Sequence, residues 1–170
     1  MPKLITQYVK IIDLICTKVG RITMYGVYLM MFILVLSFVT RNIINFPLMW
    51  IIEMAQFTMT AYYFLGGAYS MQMGDHVRMD LFYGNLSERG KAKMDIFTSA
   101  FLLFYLVTLL IGSVSSLIYT IETKQKLFTA WAPYVWPIKV IMLTGILLML
   151  LQTLSILFKD IAKLKGRKIN

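Results

Sequence analysis

The amino-acid sequence predicts an all-α integral membrane protein with four transmembrane helices, an N-terminal amphipathic arm helix and both termini in the cytoplasm. Three observations carry this. First, 59% of the 170 residues are apolar and the mean hydropathy is +0.72. A soluble domain of this length buries only roughly 70% of its unfolded surface, so much of the apolar surplus has to face lipid. Second, the apolar residues fall into four runs, 22–40, 47–73, 94–117 and 136–158. At 1.5 Å per residue each reaches roughly 28 Å or more, enough for a hydrocarbon core of about 30 Å. Third, the 17 lysines and arginines, which give a net charge of +9, cluster beside these runs. There they read as anchors to anionic lipid rather than as a nucleic-acid surface.

The segment 1–21 repeats apolar residues at helical spacing, through Leu4, Tyr8, Ile11, Ile12, Ile15, Val19 and Ile22, with Lys3, Lys10, Asp13, Thr17, Lys18 and Arg21 mostly off that stripe. It predicts an arm lying on the cytoplasmic membrane face, or otherwise a lead-in that extends the first span into water. No signal-peptide cleavage pattern is found around the first run, so this segment is expected to stay attached. The second run, 47–73, is longer than a crossing needs and is expected to tilt or to lie partly in the interface, with Pro47 in its first turn. The basic tail 159–170 closes the chain.

Orientation follows from the basic residues between the runs. Lys3, Lys10, Lys18 and Arg21 precede the first; Arg78, Arg89, Lys91 and Lys93 lie between the second and third; Lys159, Lys163, Lys165, Arg167 and Lys168 follow the fourth. These three groups are placed inside. The turn with Arg41 and the loop with Lys124 and Lys126 are placed outside, where Trp50, Trp131, Tyr134 and Trp136 supply interfacial aromatics and Trp131 and Trp136 the membrane anchors.

The polar residues are few. The lone cysteine, Cys16, excludes an intramolecular disulfide, and the lone histidine, His76, excludes bis-histidine haem ligation. Glu53 is the one clear acid within a run, and its place near a helix N-terminus favours structural pairing, with Arg41 or Lys139 as partner, over a role in proton or sodium movement. Snorkelling of Lys139 to water is an equally ordinary reading. The cluster at 74–80 contains Asp75, His76, Arg78 and Asp80; carboxylates beside basic neighbours favour pairing and partner docking over a metal site. Gly66, Gly67 and Ala68 in the second run and Gly112, Ser113, Ser115 and Ser116 in the third allow close helix packing. No ring of acids, broken midplane helix or inverted repeat suggests a self-contained transport site. This is too little polar chemistry for an enzyme, and it points to an accessory subunit whose working partner is another chain. Two other classes remain in view: an autonomous four-helix proton-coupled exporter, for which Glu53 would be the essential acid, and the anchor of a redox complex.

An ordered set of features over nearly the whole chain resembles the small membrane subunit, DctQ, of the tripartite ATP-independent periplasmic (TRAP) transporters. The set comprises the basic amphipathic lead-in, Arg41 through Trp50 and Glu53, Gly66-Gly67-Ala68 followed by His76-Val77-Arg78-Met79-Asp80, Trp131-Ala132-Pro133, and Trp136-Pro137-Ile138-Lys139 opening the last run. Where many relatives carry two consecutive acids, this chain has Ile52-Glu53. The resemblance implies a scaffold in the bacterial cytoplasmic (inner) membrane. Its partners would be a large membrane subunit, which binds sodium ions and moves a carboxylate-bearing organic solute, and a periplasmic solute-binding protein. It also implies no cofactor in this chain and no nucleic-acid partner. Candidate subunit-interface residues are Arg41, Trp50, Glu53, His76, Arg78, Asp80 and Lys139; Lys124 and Lys126 are candidates for docking the binding protein. Glu53→Ala is expected to weaken the complex more than Asp13→Ala.

Overall fold

Apolar runs of this length leave the backbone one way to satisfy its amides without water, the helix. The computed structural model describes residues 3–46, 48–73 and 88–164, and these form four helices: α1 (Lys3–Asn42), α2 (Ile51–Met73), α3 (Glu88–Glu122) and α4 (Trp136–Leu164). Pro137 stands in the first turn of α4, where its missing N–H removes no helical bond. Arm and first run are one continuous 40-residue helix. The last turn of α1 unwinds through Asn45, whose φ of 55° is left-handed, while Phe46 N–H donates back to Thr40 O at 3.0 Å.

Helices α1, α2 and α4 pack on one another, and α3 packs principally on α4. Side-chain proximities fix the directions: Gly20 lies at Tyr69 and Gly66 at Thr23, so α1 and α2 are antiparallel. Gly67 lies at Met149 and Gly145 at Phe64, so α2 and α4 run parallel. Two glycines are required by this closeness. A Cβ on Gly145 would fall 2.6 Å from the Phe64 carbonyl oxygen, and one on Gly20 would enter the Tyr69 side chain. Backbones that approach this closely gain dispersion contacts where no water-driven hydrophobic force exists.

The core is thin, as lipid solvation allows. Ile12 and Cys16 of α1 meet Ala68 of α2, flanked by Tyr8, Leu148, Met149 and Leu151. Leu106 is fully buried on the face of α3 turned to its neighbour, while Phe97, Phe101, Phe104, Ile111 and Ile118 of the same helix are exposed. The buried stripe of the arm is Val9, Ile12, Cys16 and Gly20, rotated from the apolar repeat seen in the sequence. Leu4, Ile11, Ile15 and Ile22 point outward from the bundle.

Among the described residues, three helices are long and apolar enough to cross a membrane: Leu4–Asn42, Met94–Glu122 and Trp136–Ala162. Helix α2 has the length but not the hydropathy, because Glu53, Gln56, Thr58, Thr60 and Gln72 dilute it. It sits where such dilution is tolerated, packed between α1 and α4.

Candidate functional site

Most threonine hydroxyls in these helices bond back to their own helix, while a smaller set of polar groups joins one helix to another. The most connected is Asp13. Its Oδ1 accepts from Gln152 Nε2 at 3.0 Å and from Ser155 Oγ at 3.3 Å, and its Oδ2 is ion-paired with Lys159 Nζ. Tyr8 OH donates to Leu151 O at 3.1 Å, and Gln72 Nε2 donates to Thr17 Oγ1 at 3.1 Å. One clamp therefore ties α1 to both α4 and α2 near the chain's N-terminal end. Spacing along the sequence gives no hint of it, since Asp13 and Lys159 are 146 residues apart. The available signal was chemical: Asp13 is the one acid in a basic arm. It is thus unsuited to serve as an inert reference for mutations at Glu53.

Glu53, the third residue of α2, is 5% exposed, and its Oε2 is sealed with no hydrogen-bond partner among the described residues. The expected pairing with Arg41 or Lys139 is not formed. Arg41 is exposed in the last turn of α1 and makes no ion pair among the described residues. Lys139 turns to α3 instead, donating to Ser116 Oγ at 2.8 Å, to Ser116 O at 3.3 Å and to Thr120 Oγ1. Register explains this: with Phe64 at Gly145 and Met71 near Thr153, Lys139 falls level with Phe57 and Thr58, more than a turn beyond Glu53. Trp50 is partly exposed and its carbonyl accepts from Met54 N–H at 3.1 Å, opening α2. His76, Arg78 and Asp80 lie outside the described residues.

The α3–α4 connection is a braced hairpin. Leu127 N–H donates to Pro133 O at 3.0 Å and Val135 N–H to Gln125 O at 3.1 Å, with left-handed backbone at Lys124 and Ala132. The two lysines of this loop differ. Lys126 is held over the Tyr134 ring, 4.7 Å from its centroid, whereas Lys124 is exposed at the turn. At the tip Phe128 is fully exposed; Trp131 and Trp136 are half-exposed, as suits residues at a water–lipid boundary.

A groove of about 320 Å³ runs over α4 between α2 and α3, walled by Phe64, Tyr105, Leu109, Met142 and Ile146, with Lys139 at one end.

The family model for the DctQ component of tripartite ATP-independent periplasmic transporters matches residues 30–163. The chain belongs to this family. It is therefore a small membrane component of a TRAP transporter, resident in the inner membrane, and not an enzyme. No curated protein matches the chain. The DctQ match begins within α1, so the Asp13 clamp joins a residue outside the matched segment to Lys159 inside it.

Proposed function

We propose that this DctQ component is the fixed frame of a sodium-coupled importer. A periplasmic binding protein delivers a carboxylate-bearing organic solute, a large membrane subunit binds sodium ions and carries the solute across, and this chain holds the immobile part of that subunit in place. The observation that carries the proposal is how the polar groups are used. Asp13, Thr17, Lys139, Gln152 and Lys159 are spent on bonds between helices, which makes a rigid body rather than a solute path. A moving transport domain needs such a body to slide against.

In this proposal α2 is a fourth crossing, screened by α1 and α4, and both termini are cytoplasmic. The outward stripe Leu4, Ile11, Ile15 and Ile22, with exposed Lys10, Lys18 and Arg21 beside it, rests the arm on the inner leaflet. Glu53, Arg41 and Trp50 lie at the outer end, where the large subunit is met, and His76, Arg78 and Asp80 serve the same interface inside. Lys124, free on its turn, steers the binding protein, while Lys126 shapes the hairpin.

Reconstitution tests this. Liposomes containing only this chain are expected to move no solute and no protons. Co-reconstitution with the large subunit and the binding protein should give sodium-dependent uptake that is lost when this chain is omitted. Flux through the chain alone would refute the frame and favour an exporter using Glu53.

A further inference from the structure

The groove over α4 is a binding site for one phospholipid, we infer, with an acyl chain along its floor and an anionic headgroup at Lys139. Its length, depth and lining support this occupant. The groove runs roughly 16 Å along α3 from Tyr105 to Ser116 and is chiefly apolar. The length of roughly 16 Å is close to half of the roughly 30 Å hydrocarbon core, the reach of one leaflet. Lys139 stands at the right end, in the first turn of α4, one turn from Trp136 and therefore near headgroup depth.

The chemistry of the two ends differs as a lipid's does. Along its length the groove is chiefly Phe64, Leu109, Met142, Ile146 and the Tyr105 ring. The ammonium at its mouth is fixed by three neutral oxygens, those of Ser116 and Thr120, which orient it without cancelling its charge. A phosphate oxygen replaces one of these ion–dipole bonds with an ion pair, for which lysine serves as a point charge. The groove is open at Gly112, where a Cβ would meet no atom within 4 Å.

The test is native mass spectrometry of the delipidated full-length chain, titrated separately with phosphatidylglycerol and phosphatidylcholine. One site should fill first. Lys139→Gln is expected to weaken phosphatidylglycerol about fivefold, the effect of one lysine near an anionic lipid, and to change phosphatidylcholine little. Gly112→Leu fills open space and should weaken both lipids by at least about tenfold, since each displaced methylene matters, with thermal unfolding unchanged. Inorganic phosphate should not compete. Three results would each overturn the site: both variants binding lipid like the wild type, which means annular lipid only; displacement by inorganic phosphate, which means a free-anion site; or a photocrosslinker at position 112, in the chain co-expressed with the large subunit, capturing protein rather than lipid.

Discussion

Replacing Asp13 should loosen α1 from the rest of the molecule. Its carboxylate accepts from Lys159, Gln152 and Ser155, and the acid and lysine side chains are 23% and 29% exposed. Deleting one partner of a fully buried pair costs about 3–5 kcal/mol, while exposed pairs are worth about 0–1 kcal/mol. At this intermediate exposure, and with two neutral donors also left without their acceptor, Asp13→Ala should cost about 2 kcal/mol. On the scale of soluble domains of this size, that is a fall of roughly 4–8 °C in Tm. Asp13→Asn, which keeps an acceptor for Gln152 and Ser155 but loses the ion pair, should cost about half as much. The assay is thermal unfolding of purified chains in one detergent, for Asp13→Ala, Lys159→Ala and the double variant. Because both singles break the same bond, the double should fall short of the sum by at least about 0.5 kcal/mol. Strict additivity, or an Asp13→Ala variant as stable as the wild type, would show that the clamp contributes nothing.

Other perturbations separate packing from partnership. Gly145→Ala forces a Cβ against the Phe64 carbonyl and should destabilise the chain by about 1–3 kcal/mol as α2 and α4 part, read as a lower Tm; an unchanged Tm would show that the close approach is not maintained. Glu53→Leu removes a sealed, unpartnered oxygen, so the isolated chain should become more stable by about 1 kcal/mol while co-purification with the large subunit weakens; a loss of stability would mean that Glu53 already has its partner within the chain. Lys124→Glu should slow binding-protein association and reverse its salt dependence, whereas Lys126→Ala should act by loosening the hairpin and leave salt dependence alone; identical behaviour of the two lysines in stopped-flow association would contradict the different roles assigned to them.

The helical class was legible because apolar run length is a local property. The run at 47–73 and helix Ile51–Met73 end at the same residue, but the helix starts later than the run, and Pro47 lies outside the described residues; Trp136 opens both the last run and α4, which continues past 158 to Leu164. Sequence was less able to say which residues meet. Glu53, Arg41 and Lys139 all sit near one membrane face in the sequence, but pairing depends on register. The parallel α2–α4 register is set by where Gly67 and Gly145 admit Met149 and Phe64. Periodicity likewise reported an apolar stripe on the arm without saying which side faced protein. The rotation that buries Val9, Ile12 and Cys16 also aims Asp13 at Lys159. In a membrane both the protein-facing and the lipid-facing sides of a helix are apolar, so hydropathy is nearly silent about packing. What discriminates is the small and the polar: a glycine that only close backbones need, or an acid that only a distant lysine makes affordable. That is why Asp13, the one acid among the basic residues of the arm, tests the rigid-frame proposal more directly than the more conspicuous Glu53.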